Sequence, residues 1–179
     1  MIVRVSYNEH DYDLEVSKPA LLKLSENFTL AEMANNAGDP TKPQYWFSPA
    51  SDDFTTALQD FRYIVNQRVI INSGYRQPAY NIKIGGTSNS RHIFGQAADI
   101  RPLINFTAMD HIKAWAEALG RSGHKGAINI YKNHEYYHLE INDSQAPFLL
   151  VRVYSTIGEL AELRTKLADY AIYVDSYIK

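Results

Sequence analysis

Phe54, Leu58, Phe61 and Val65 recur at i, i+4, i+7 and i+11, a spacing that only an α-helix gathers into one apolar stripe. With Asp52 and Asp53 near the positive end of the helix dipole, the spacing predicts a helix from Ser51 onward. A second helix is expected behind Thr107, with Asp110 at its third position. Its face is Ile112, Trp115, Ala116 and Leu119, and Gly120 is expected to stop it. Thr29 and Glu32 have capping-box spacing, which places a short third helix there.

Strand patterns interrupt these helices. VIINS at 69–73 is a β-branched run suited to a buried strand, and the first 16 residues alternate as a strand or hairpin. AINIY and YYHLEI read as two strands joined by the tight turn KNHE, and the tail from Phe148 reads strand, helix (Ile157 to about Leu167), strand. Residues 35–50 and most of 74–91 read as loop. Helices and strands mix without strict βαβ alternation, which predicts an α+β fold: a central, mostly antiparallel sheet with helices packed on it.

Several functional classes are excluded by composition. With no cysteine among 179 residues, disulfides, zinc-thiolate sites and cysteine nucleophiles are ruled out, so any metal must be held by His and carboxylate. A net charge of -2 gives no basic footprint for nucleic acid. No apolar run approaches the roughly 20 residues that cross a bilayer. The N-terminus lacks the basic start and apolar stretch of a secretory signal, so synthesis in the cytoplasm is expected, with another route out for any extracytoplasmic role.

Chemistry concentrates in two segments. In SRHIFGQAADI, His92 and Asp99 are both able to bind metal and lie seven positions apart. They would be about 23 Å apart on a strand and about 10 Å apart on a helix. Two ligands of one ion sit within a few Å of each other. The chain must therefore reverse between them, and Gly95 permits the turn. In NHEYYHLEI, a strand would put His138 and Glu140 on one face and Glu135, Tyr137 and Leu139 on the other. A third ligand at His138 leaves a fourth position for water, the arrangement of a catalytic zinc site. Such a site needs a nearby carboxylate to move the proton, and Glu135 and Glu140 compete for that role.

SRHIFGQAAD resembles the S-x-H-x-x-G-x-A-x-D signature of the zinc D-alanyl-D-alanine carboxypeptidase and L-alanyl-D-glutamate endolysin peptidase family, whose fold the hedgehog signalling domain shares. Ser90, His92, Gly95, Ala97 and Asp99 fill its defined positions. SGYRQPAYN is similar to the family's S-G-Y-R-x-x-x-x-N segment, with Arg76 and Asn81 in place. EYYH is similar to E-x-W-H with Tyr137 for tryptophan, and GAINIY to G-x-G-x-Y with Asn129 where glycine is usual. With LSENFTLAEM ahead of them, the likeness covers about residues 24–142.

The resemblance implies one zinc ion per chain on His92, Asp99 and His138. Glu135 would be the general base, Arg76 would stabilise the oxyanion, and Ser90 would contact the substrate backbone or its terminal carboxylate. Some relatives carry H-x-D after the strand, where Glu140 stands here; Glu140 is alternatively a carboxylate orienting a ligand histidine. Tyr75 and Tyr137 are expected to line the cleft. His134 reads as a solvated turn histidine, His10, His111 and His124 as surface residues, and Trp115 as core.

The expected protein is a monomeric zinc peptidase cutting D-amino-acid-containing peptidoglycan stem peptides or D-Ala-D-Ala-type peptides. It would be a phage or prophage-type endolysin or a D,D-carboxypeptidase, with neither membrane nor nucleic acid as partner. The rival is a non-catalytic, zinc-containing wall-binding or virion module. The peptidase domain is expected at 1–147, with a strand extension at 1–20, and 148–179 as a strand–helix–strand extension packed on the same domain. IVRVSY and LVRVYS are alike enough to suggest that they pair in an accessory sheet.

Overall fold

A computed structural model describes residues 1–131, 135–144, 148–154, 157–167 and 172–176. The expected turn KNHE falls mostly outside these residues, and His134 lies outside them altogether.

The chain opens with the hairpin β1 (Ile2–Tyr7) and β2 (His10–Glu15). Its two turn residues, Asn8 and Glu9, both have positive φ (49° and 65°), the backbone twist that a two-residue hairpin loop requires. Next comes the short helix α1 (Leu30–Met33), which carries the expected reciprocal cap between Thr29 and Glu32. The stretch at 35–50 is not all loop: β3 (Tyr45–Phe47) pairs parallel with β1 and completes a three-stranded sheet in the order β2-β1-β3. Helix α2 (Pro49–Val65) starts slightly ahead of Ser51, because Ser48 caps it and Pro49 occupies its first turn.

β4 (Ile71–Ser73) follows, and the polar segment after it folds more than its composition suggested, into α3 (Pro78–Lys83) and a 3-10 helix at Arg91–Phe94. β5 (Ala97–Ile100) leads to α4 (Ala108–Ser122), capped by Thr107 and Asp110 as expected. Gly120 does not end α4. Glycine inside a helix costs only about 1 kcal/mol, and the stop is Gly123, which takes the left-handed conformation at φ 77°. β6 (Gly126–Tyr131), β7 (Tyr137–Ile141), β8 (Leu149–Tyr154), α5 (Ile157–Leu167) and β9 (Ile172–Ser176) complete the order.

The fold is α+β around a six-stranded sheet, β4-β5-β7-β6-β8-β9. β4, β5, β7 and β6 are joined antiparallel, whereas β8 runs parallel to β6 and β9 parallel to β8. A parallel pair needs a crossover, and α5 supplies the one between β8 and β9. IVRVSY and LVRVYS do not pair. The first is β1 in the small sheet, and the second falls largely in β8, between β6 and β9.

Strand alternation gives the central sheet two chemically distinct faces. One buries Ile100, Tyr137, Ile130 and Val153, which stand opposite one another in a single row. Helix α4 covers this face, the Trp115 indole donating to the Ala127 carbonyl at 3.0 Å, and α2 packs on α4, where Phe54 and Phe61 meet Trp115 edge-on at 6.2 and 6.0 Å. On the other face, the matching row is Asp99, His138, Asn129 and Arg152. One layer of sheet thus separates the apolar core from the polar site.

Candidate metal centre

The 3-10 helix ends at Gly95 in the left-handed conformation (φ 69°), and this turn reverses the chain so that His92 and Asp99 meet. A Cβ on Gly95 would lie 2.9 Å from that of Ser51, so space as well as backbone angle favours glycine here. β5 then carries Asp99 directly opposite His138 on β7. One side-chain atom from each of His92, Asp99 and His138 lies within 4.8 Å of the other two, and all three residues are buried.

Hydrogen bonds fix the tautomer of each ring. His92 Nδ1 lies 2.6 Å from the Gly74 carbonyl. A carbonyl only accepts, so Nδ1 carries the proton and Nε2 presents a lone pair. Gly74 itself passes tightly against the end of α1, where a Cβ would fall 2.1 Å from the Met33 carbonyl oxygen. His138 Nε2 lies 2.9 Å from Glu140 Oε2. The carboxylate accepts, which turns the lone pair on Nδ1 inward. His92 Nε2 and His138 Nδ1 are 3.0 Å apart, and they lie 3.3 and 3.0 Å from Asp99 Oδ1. Three acceptors converging this closely in a buried place repel one another unless a proton or a metal cation sits among them. Two imidazoles and one carboxylate are a donor set that suits zinc.

The charges around the cluster are balanced. Arg76 donates from Nη2 to Asp99 Oδ2 and from Nε to Ser73 Oγ at 2.8 Å, so one oxygen of Asp99 is held while the other faces the histidines. Burial would raise the Asp99 carboxyl, but its bonds to His138 and His92 outweigh this and hold it well below the usual carboxylate range. Burial alone would lower His138; Asp99 and Glu140 reverse that and bring it to about 9. His92 is lowered, chiefly by burial. Glu140 sits at about 2, because its contacts with His138 and Arg152 overcome the effect of burial.

The cluster opens into a cavity of about 690 Å³ whose walls include Arg76, Ser90, Tyr131, Tyr136, Glu140 and Arg152. A second concavity of about 640 Å³, beside Asn36, Asp39, Gln77 and Tyr80, contains none of the candidate residues.

The structure thus gathers His92, Asp99, His138 and Arg76, with Ser90 on the rim. Glu135 is exposed just ahead of β7, beside Tyr136, and is not part of the cavity wall. Glu140 is buried, with one oxygen on His138 and the other accepting from Arg152 at 3.2 Å.

Three expectations need correction. Tyr137 is 1% exposed and belongs to the core, because the alternation that turns His138 into the site turns its neighbour away. Tyr136 lines the cavity instead. Tyr75 is also buried, packing edge-on against Tyr45 at 6.2 Å away from the cleft. His111 is not a surface residue: it is fully buried, stacked on Tyr137 at 4.0 Å, and its Nε2 accepts from the Leu103 amide. Asn129 and Arg152 were not foreseen as site residues; strand parity could have flagged Asn129, but Arg152 depends on strand order.

Comparison with known proteins agrees with this geometry. A stretch of 44 residues is 43% identical to the zinc D-Ala-D-Ala carboxypeptidase of Streptomyces albus G, covering 24% of this chain and only 17% of that protein's length. The family model for Peptidase M15 matches residues 26–140, well over half of the chain, from ahead of α1 into β7 with His138 included. On that match, the chain belongs to the Peptidase M15 family.

Proposed function

We propose that this chain is a zinc peptidase hydrolysing an amide bond in peptidoglycan stem peptides that contain D-amino acids. The observation that carries this reading is the convergence of His92 Nε2, His138 Nδ1 and Asp99 Oδ1 beside an open cavity. Three protein ligands are the number that catalytic zinc sites use, and structural sites use four. The Streptomyces relative, by its name a zinc D-Ala-D-Ala carboxypeptidase, supports both the metal and the substrate class.

Bound by these three residues, zinc supplies Lewis-acid polarisation of the scissile carbonyl and makes water nucleophilic at neutral pH. Glu135 takes the proton of the attacking water and delivers it to the leaving amine. Arg76 holds Asp99 in its ligating orientation and brings positive charge to the wall where the oxyanion develops. Ser90, at the rim, binds the substrate's backbone or terminal carboxylate. We place the activity on the bacterial wall, as an endolysin of phage or prophage type or a D,D-carboxypeptidase acting as a monomer. No helix among the described residues is long and apolar enough to cross a membrane.

Purified peptidoglycan digested with the zinc-loaded protein and analysed by mass spectrometry tests the reading. New peptide termini are expected with the natural sequence and are lost in Glu135→Ala and His92→Ala. An intact wall and intact D-Ala-D-Ala-ended peptides, despite one bound zinc per chain, would sink it. The exposed position of Glu135, outside the cavity wall, is the observation favouring a second reading, a zinc-containing module that binds the wall without cutting it. That reading expects the natural sequence and Glu135→Ala to sediment equally with peptidoglycan and to release nothing.

A further inference from the structure

Arg152 lies on β8, beyond the segment that matches the family, yet its side chain reaches the metal cluster's surroundings. Its Nη1 donates to Asn129 Oδ1 at 3.1 Å and to Glu140 Oε1 at 3.2 Å. The pairing registers explain how a residue so late in the chain gets there. Asp99 stands opposite His138, His138 opposite Asn129, and Asn129 opposite Arg152, so one transverse row over four strands carries all four on the cavity face. Glu140, two residues beyond His138 and on the same face, bridges the row: Oε1 meets Arg152 and Oε2 meets the His138 ring.

This bridge leaves the carboxylate little freedom. Glu140 is 6% exposed, and a carboxylate withdrawn from water stays put only while its oxygens are paired. Removing the Arg152 guanidinium strips Oε1 of this donor. The carboxylate is then free to turn toward the water of the cavity, and Oε2 leaves His138 Nε2. Asn129 holds the guanidinium from the neighbouring strand, so the cation is itself fixed in place.

We propose that Arg152 is a positioning residue of the metal centre: by clamping Glu140 against His138 from β8, it sets the ring with Nδ1 facing His92 and Asp99. The proposal rests on the reading of His92, Asp99 and His138 as zinc ligands. It adds to that site a residue from outside the matched segment, and one that does not itself touch the metal.

The test measures zinc affinity of the full chain by competition with a chromophoric chelator, together with the visible absorption of the cobalt-substituted protein. Folding of each variant is checked by circular dichroism. Arg152→Met is expected to weaken zinc binding about 10- to 100-fold and to alter the cobalt bands. Arg152→Lys should recover part of the affinity, because an ammonium keeps the charge but lacks the planar guanidinium whose Nη1 meets both Asn129 and Glu140. In a Glu140→Gln background, Arg152→Met should change affinity by less than about threefold, since the two residues act as one unit. Where Arg152→Met is unfolded, the same comparison is made with Arg152→Lys, alone and in the Glu140→Gln background.

Zinc affinity of the folded Arg152 variant within about twofold of the natural sequence, with His92→Ala defective, overturns the proposal while leaving the centre standing. Losses that add fully to those of Glu140→Gln overturn it as well. Zinc binding unchanged in His92→Ala removes the centre itself, which is a separate failure.

Discussion

His138 donates from Nε2 to Oε2 of Glu140 at 2.9 Å, which leaves Nδ1 of the same ring pointing at Asp99 Oδ1, 3.0 Å away. One hydrogen bond thereby decides which nitrogen is free to ligate. Glu140→Ala removes the acceptor, so the ring loses both its orientation and its preferred tautomer. Zinc affinity is expected to fall about 10- to 100-fold. Glu140→Gln retains an acceptor oxygen and should lose less. Chelator competition on the two variants checks the order, and equal losses would mean that charge alone matters at this position.

The same relationship sets a pH dependence. Asp99 and Glu140 raise His138 from 6.5 to about 9 against the lowering effect of burial, so below that pH zinc must displace a proton from the pocket. Apparent zinc affinity should climb up to about tenfold per pH unit and flatten above pH 9, with about one proton released from this ring per zinc at neutral pH. Stability of the metal-free chain follows with a defined sign. A folded value above the unfolded one stabilises fully below about 6.5, and that contribution disappears as pH rises through about 9. Titration calorimetry in buffers of different ionisation enthalpy counts the proton. A pH-independent affinity between 6 and 8 would show that the ring is not held this way.

The features legible in the sequence are those that depend on neighbours along the chain. Alternation over 137–141 separates His138 and Glu140 from Leu139, and the caps Thr29–Glu32 and Thr107–Asp110 form as their spacing implies. Gly95 reverses the chain between His92 and Asp99 because a left-handed residue was needed there. Features that depend on strand order were not legible. β6 lies between β7 and β8, which alone brings Arg152 to Glu140. β3 is a strand only because β1 offers it an edge, with Val3 pairing Tyr45 across 42 residues of chain. His111 reads as a surface residue on its own helix until Tyr137 is seen to cover it. Tyr137 was legible as well: its parity beside His138 indicates the core, against the expectation that it lines the cleft.

Tyr136 and Tyr137 therefore separate function from stability at adjacent positions. Tyr137 is 1% exposed and stacked on His111, so Tyr137→Ala should destabilise the fold by about 3–5 kcal/mol, the usual cost of deleting a buried ring. Tyr136 lines the cavity and stacks on Tyr131 at 4.4 Å. Tyr136→Ala should cost much less stability, within about 1 kcal/mol, and act instead on the Michaelis constant for the proposed peptide substrate. Urea unfolding and steady-state kinetics on both variants distinguish the two roles. Loss of stability in Tyr136→Ala comparable to that in Tyr137→Ala would assign both tyrosines to packing.

Glu135 and Arg76 divide in a different way, because Arg76 touches a side chain of the His92–Asp99–His138 cluster and Glu135 does not line its cavity. Glu135 is exposed and stands apart from the three-residue cluster. If it moves the proton during hydrolysis, Glu135→Gln should lower kcat by about 10²- to 10⁴-fold while zinc affinity stays at the level of the natural sequence. Arg76 donates to Asp99 and to Ser73, and Asp99 is nearly buried. Arg76→Met leaves that carboxylate with an unpaired buried oxygen, a loss that costs about 3–5 kcal/mol when a buried pair is broken. Turnover and zinc affinity should therefore fall together in the arginine variant, and turnover alone in the glutamate variant. If Glu135→Gln keeps full turnover, the proton-transfer role must pass to another group at the cavity. Glu140 is poorly placed to take it, since both of its oxygens already hold His138 and Arg152.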